Sequence, residues 1–287
     1  MSRNYENIKL AIDYIEDHLT EKLNLSIVSN AVHYSKYYLH RLFTNIVGMT
    51  MHDYIQRRKL TEAAKLLVFS DKPILEIALI AGYESQQSFT SIFKEMYKKS
   101  PNQFRQHEIF YPLQLKFVLK MNPIEIDSKK IDVERDILFA TLDDIEIWMD
   151  LVRLVVDGFP YLIEDDYLKV LKQCIIDQRA LIIKDKKIAI GIMIFSYDTG
   201  SIDFLGIHPQ YRKQGVAKAF LKKVIKEYLK GKEISITTFR EGDKADTGYR
   251  EIYKNLGFAE SELLIEFGYP TQKFVLPLSI KGVRNHE

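Results

Sequence analysis

Residues 204–230 read FLGIHPQYRKQGVAKAFLKKVIKEYLK. An apolar run ends at a proline turn. A basic stretch follows and closes on Gly215, after which apolar and lysine residues recur at helical spacing. The reading is a buried strand, a basic glycine turn and an amphipathic helix, which together form a cradle for a phosphate-bearing ligand. Backbone N–H groups at a helix start converge on one spot, and the helix dipole favours an anion there. Gly215 lets the backbone approach a diphosphate without a Cβ in the way. Ala217 keeps the next turn small, and Arg212 and Lys213 can add charge-assisted contacts. The run Arg212-Lys213-Gln214-Gly215-Val216-Ala217 fits R-x-x-G-x-A, a short pattern whose weight comes from the strand before it and the helix after it.

Around this cradle the C-terminal half alternates between two periods. ILFATL from Ile137, ALIIKD, KIAIGIMIFSY, SIDFLGI and EISITTF read as strands, with further strands near LLIEFGY and KFVLPL. DIEIWMDLVRLVV, EDDYLKVLKQCI, the segment from Val216 to Leu229 and GYREIYKNL read as helices. The expected domain is α+β with a mainly antiparallel sheet, not a doubly wound dinucleotide fold. Downstream, Tyr253-Lys254-Asn255-Leu256-Gly257-Phe258 places Y-x-x-x-G-F on a helix that ends at a glycine cap.

The ordered set of strand, R-x-x-G-x-A, helix, strand, helix and Y-x-x-x-G-F resembles the GNAT superfamily of acetyl-CoA-dependent N-acetyltransferases over about residues 135–280. The resemblance implies that residues 212–217 hold the CoA pyrophosphate. It implies that strand backbone at Leu205, Gly206 and Ile207 pairs with pantetheine and the acetyl carbonyl. It implies direct attack of an amine on the thioester, with a strand N–H, at Leu205, stabilising the oxyanion. Tyr253 aligns with the family's general acid, a phenol that protonates the departing thiolate. For the base that takes the amine proton, Asp203 is the first candidate and Glu241 the second. Trp148, Phe159, Tyr161, Phe267 and Tyr269 are candidate walls of the acceptor pocket, each also readable as core. His208 reads as a turn residue before Pro209, and Cys174 as a small buried hydrophobe. No His, Cys or carboxylate cluster has metal-site spacing, so no metal is expected.

The N-terminal half repeats itself at an offset of fifty residues. Ile27 meets Ile77, Ala31 meets Ala81, Ser35 meets Ser85, Leu39 meets Phe89 and Phe43 meets Phe93. Each unit reads as a helix, a tight turn, a Ser that caps the next helix, and a second amphipathic helix. Pro73 opens a helix in the second unit and Gly82 supplies its turn, where the first unit has His33. This is a helix-turn-helix pattern present twice in an all-α bundle. The segment Arg57 to Phe69 would join the units, holding two recognition helices about 34 Å apart, one duplex turn. A helical bundle that binds a protein partner is the alternative.

YSKYYLHRLF, RRKLTEAAKLL and KPILEIALIAGYESQQSFTSIFKEMYKKSPNQFR resemble the DNA-binding domain of the AraC/XylS family, closest to its small stress regulators, over about residues 7–106. The resemblance implies a monomeric or homodimeric transcription factor on double-stranded promoter DNA. Periodicity turns Leu39, Leu42, Phe43 and Ile46 inward, leaving Lys36, Tyr37, His40 and Arg41 for the groove. In the second unit Phe89, Ile92, Phe93 and Met96 point inward, leaving Gln86, Gln87, Thr90 and Ser91. Arg41 suits a guanine edge, Lys36 a phosphate, and Gln86 or Gln87 an adenine edge. Tyr37 and His40 differ from the residues usual in the stress regulators, so the target sequence does not carry over.

Three segments result: a DNA-binding domain at 1–107, a linker at 108–134 in which LQLKFVLK alternates like a short strand, and the acetyltransferase domain at 135–280. Charge supports the division only weakly. Residues 1–107 carry 14 Lys/Arg against 11 Asp/Glu, and residues 108–287 carry 27 against 28. The N-terminus lacks an apolar signal core, no apolar run approaches a membrane span, and one cysteine suits a reducing cytoplasm. The expected function is a transcriptional regulator fused to an N-acetyltransferase that acts on a small-molecule or protein amine. The alternative is a regulator whose second domain only senses acetyl-CoA or a small ligand. A third reading keeps the enzyme and treats the helical half as a vestige.

Overall fold

The computed structural model describes residues 2–119, 136–155, 164–185, 188–212, 214–246, 248–266 and 269–277. Most of the linker, Phe159, Tyr161, Lys213 and Phe267 lie outside the described residues. Seven helices come first: α1 (Ser2–Asp17), α2 (Leu25–Ala31), α3 (Lys36–Val47), α4 (Met51–Phe69), α5 (Ile74–Ile80), α6 (Gln86–Tyr97) and α7 (Pro101–Gln106). Their starts are written in the sequence. Asn24, Ser35, Thr50, Ser85 and Ser100 each accept a backbone N–H three residues on, satisfying a donor that the helix cannot.

The long helix α4 carries a core on each side. Ile12, Leu39 and Phe43 pack with its first half, and Ile77, Phe89, Phe93 and Phe104 with its second. The two units superpose in sequence with a corrected register. In the leading helices the buried pairs are Val28 with Ile77 and Ser29 with Ala78, an offset of 49, not Ile27 with Ile77 or Ala31 with Ala81. Ala31 is in fact exposed. The turns also match at 49: His33 (φ 59°) and Gly82 (φ 77°) both take the left-handed conformation. The second unit then inserts one residue, Glu84, before its capping Ser85. From Ser35 and Ser85 onward the offset is fifty, as expected.

Residues 108–119 form no strand, contrary to the alternation in LQLKFVLK. They lie on α4 as a strap. Thr61 Oγ1 accepts from Leu113 N and Gln114 N, Tyr54 Oη accepts from Phe117 N, and Leu113, Phe117 and Leu119 are buried. Beneath the strap, Arg58 grips both oxygens of Glu16 and donates to Gln114 O.

The second domain is a seven-stranded sheet in the order β1-β2-β3-β4-β5-β7-β6. Its strands are β1 (Leu138–Phe139), β2 (Ala180–Asp185), β3 (Ile188–Phe195), β4 (Ser201–Ile207), β5 (Ile234–Phe239), β6 (Ala259–Glu266) and β7 (Tyr269–Leu276). All pairs are antiparallel except β4 with β5. Helices α8 (Ile145–Val155) and α9 (Glu164–Ile176) cover one face around Trp148, Leu171 and Ile192. Helices α10 (Val216–Lys223) and α11 (Tyr249–Asn255) cover the other, around Phe220, Tyr253 and Phe274. The helix read from Val216 to Leu229 changes character after Lys223 into a π turn over Val224–Tyr228, closed by Leu229 N to Val224 O.

The domains meet over a specific contact. Arg57 of α4 is 1% exposed and donates through Nη2 to Ala245 O at 2.5 Å. Asp243 Oδ1 pairs with Lys98 Nζ at 2.8 Å, and Asp243 Oδ2 accepts from Tyr269 Oη at 2.9 Å. Helix α3 packs on the short 3-10 turn Pro209–Tyr211, which leads into the basic glycine loop.

Candidate functional site

The opening for a ligand is set by how β4 leaves β5. Only Ser201 with Ser235 and Ile202 with Ile236 are paired, after which the parallel strands part. A bulge begins the departure: Phe195 faces Ile202 while Ile194 faces Phe204, leaving Asp203 as the extra residue. Beyond it, His208 N donates to Ile190 O at 2.8 Å. Amides alternate sides along a strand, so those of Phe204 and Gly206 face β3 and those of Leu205 and Ile207 face the gap beside β5. Beyond the two paired residues, these two strand amides therefore face the opening.

The gap leads to the glycine loop. Gly215 has φ 82° and caps α10, and a Cβ built there would meet nothing within 4 Å. Left-handed backbone with free space in front of a helix start is a surface that an anion can approach closely. Val216 is buried under the loop, and Gln214 and Ala217 lie at its rim. Arg212 points elsewhere: its guanidinium sits against Gly48, the left-handed residue that closes α3.

Tyr253 is on α11 within the core, packed against Phe258 and Phe274. Burial pushes its phenol well above the ordinary 10.0, and the charge of Asp246 adds to the effect. The phenol is thus held in its protonated form. Helix α11 is fixed at its first turn. Asp246 Oδ1 accepts from Gly248 N at 2.9 Å and from Tyr249 N at 2.8 Å. Arg250 is buried, donates to Phe239 O and pairs with Glu260 at 2.6 Å. Sequence reading missed both Asp246 and Arg250, although an Asp two residues ahead of GYREIYKNL is an Asx-turn signal.

The two base candidates are not equivalent. Asp203 is exposed on the bulge, accepts from Ser201 Oγ at 2.6 Å and lies 3.8 Å from Arg179 Nη1. Glu241 is exposed in the turn after β5. Of the candidate pocket walls, Trp148 is wholly buried with Nε1 donating to Tyr167 Oη, which makes it core. Tyr269 is spent on Asp243 at the domain contact.

In the helical domain, Lys36, Tyr37, His40 and Arg41 are exposed on α3, with Tyr37 at 92%. On α6, Gln86, Gln87 and Ser91 are exposed and Thr90 is half-buried. These exposures hold with the second domain docked, so the contact leaves both faces open. Leu39, Phe43, Phe89, Phe93 and Met96 are buried as expected, while Leu42 and Ile92 are only partly so.

Comparison with known proteins assigns both halves. The family described as a helix-turn-helix domain matches residues 28–107, and that described as an acetyltransferase (GNAT) domain matches residues 176–260. Regulatory protein SoxS of Salmonella typhimurium is 36% identical over 98 residues, which span 34% of this chain and 92% of SoxS. The uncharacterized HTH-type transcriptional regulator YbfP of Bacillus subtilis is 39% identical over 98 residues, spanning 34% of this chain and a third (33%) of that relative's length. An acetyltransferase of the GNAT family from Bacillus cereus aligns in structure over 48% of this chain and 94% of its own, with 17% identity and a TM-score of 0.37.

Proposed function

Because the chain belongs to the AraC-type helix-turn-helix family through its N-terminal third and carries a GNAT acetyltransferase domain behind it, we propose that it is a promoter-binding regulator that transfers acetyl from acetyl-CoA to an amine. The observation that carries the enzymatic half is the parting of β4 from β5 beside the open, left-handed Gly215. When bound, acetyl-CoA would supply an activated thioester. Residues 212–217 would hold its diphosphate, with amides at the start of α10 as donors and Arg212 and Lys213 as cations. Leu205, Gly206 and Ile207 would receive the pantetheine arm, the Leu205 and Ile207 amides being those turned to the gap. Leu205 N–H would stabilise charge on the carbonyl oxygen.

Tyr253 serves as the proton donor to the leaving sulfur; burial holds its phenol protonated and at the same time makes it a weaker acid than a free tyrosine. Asp203 or Glu241 takes the proton of the attacking amine. In the helical half, Arg41, Gln86 and Gln87 read base edges, Tyr37, His40 and Thr90 contact the groove, and Lys36 meets phosphate. The reading places the protein in the cytoplasm as a monomer or homodimer.

The first test is calorimetric titration of acetyl-CoA into the full chain beside a Gly215→Trp variant. Micromolar binding that the variant abolishes supports the cradle, and its absence from folded protein refutes it. A second reading, in which the domain only senses the ligand, is favoured by one observation: Arg212 leans on the DNA-binding half. Turnover of an amine panel separates the two.

A further inference from the structure

We infer that Arg212 is shared between the ligand cradle and the first recognition helix, so that a diphosphate in the cradle loosens the C-terminal end of α3. The inference rests on the reading of residues 212–217 as a diphosphate site and concerns the regulation of that site.

Helix α3 ends at Gly48, whose φ is 89° and whose N–H returns to Thr44 O. A Cβ at Gly48 would collide with the Arg212 guanidinium, so the arginine occupies the space that a side chain would otherwise fill. A cation there faces the negative end of the helix dipole. The turn Pro209–Tyr211, which packs on α3, carries Tyr211, which is buried. Among the described residues, Tyr211 Oη and Thr44 Oγ1 are buried without a hydrogen-bond partner. Thr44 lies one turn before Gly48, on the same side of α3.

Charge decides which partner wins. The end of α3 offers about half an elementary charge spread over carbonyls. A diphosphate offers full charges and oxygens that a guanidinium can engage in pairs. With a ligand in the cradle, Arg212 is therefore drawn off α3. The domains stay docked meanwhile, because Arg57 with Ala245 and Lys98 with Asp243 form separate attachments. Lys36, Tyr37, His40 and Arg41 ride on the same twelve-residue helix, so a change at its end reaches the DNA-reading face. By linkage, DNA and ligand then alter each other's affinity by the same factor.

The test uses the full chain and free CoA. Hydrogen exchange of the amides from Ile46 to Met49 is measured with and without CoA at a concentration that calorimetry shows to be saturating. The expected result is exchange at least about fivefold faster with CoA bound, the lower edge of ordinary coupling. Calorimetric binding with unchanged or slowed exchange overturns the inference and leaves the cradle standing. No calorimetric binding overturns both. A Gly48→Ala variant removes the competition from the other side, and its CoA dissociation constant should fall several-fold. An unchanged constant in the folded variant also counts against the inference, and if the variant does not fold, exchange in the wild-type chain decides.

Discussion

At the scale of single residues, burial constrains what chemistry a side chain can offer. Tyr253 is enclosed by Phe258 and Phe274, and burial keeps its phenol neutral beyond pH 10. Replacing it with Phe should lower kcat by about 10²–10⁴-fold if it is the proton donor. Because its pKa is raised, the wild-type rate should show no loss from this group as pH rises to about 10. Steady-state rates across pH for both proteins check this, and an unaltered kcat in Tyr253→Phe would reduce the tyrosine to packing. The place of Tyr253 on a helix that ends at Gly257 was legible because Y-x-x-x-G-F is local in sequence. The proton acceptor was not, since exposed carboxylates such as Asp203 and Glu241 are common and nothing local distinguishes one that faces a substrate.

Among elements, the recognition helices illustrate what periodicity reveals. The inward positions of α3 and α6 largely follow the 3.6-residue repeat, and the outward ones are exposed except Thr90, which is half-buried. Arg41→Ala should cost about 1–3 kcal/mol on the preferred site and relax discrimination at one base pair. Lys36→Ala should weaken binding evenly across sequences and flatten its salt dependence. Competition binding over a randomised duplex pool distinguishes the two patterns. Periodicity failed where turns intervene. An offset of fifty fits the second helix of each unit, but the Glu84 insertion makes the first helix match at 49, and identities such as Ile27 with Ile77 masked this. It failed again at LQLKFVLK, whose alternation serves burial against α4 and hydrogen bonds to Thr61 and Tyr54 instead of a strand partner.

Across the whole molecule, burial of phenols ties stability to pH. Tyr54, Tyr97, Tyr253 and Tyr269 all have pKa values raised above 10.0, chiefly by burial. Unfolding releases them to ionise at their ordinary pKa. Their stabilisation is therefore complete below pH 10 and is lost progressively as pH rises above it. The urea midpoint should hold between pH 7 and 9 and fall steeply from about pH 10 to 11; a flat profile would mean that the phenols titrate freely in the native state. Tyr269 belongs to the domain contact with Asp243 and Lys98, a contact that no motif announced. The sequence by itself determined that a doubled helix-turn-helix half precedes an α+β half, which faces of the helices turn outward and where a left-handed glycine precedes a helix, because caps, periodicity and glycine turns act over a few residues. Only the tertiary structure decided that β4 parts from β5 after two residue pairs, that Tyr253 is enclosed, and that Arg212 rests on the end of α3. Those outcomes depend on groups far apart in the chain competing for the same space and charge, and local spacing carries no record of that competition.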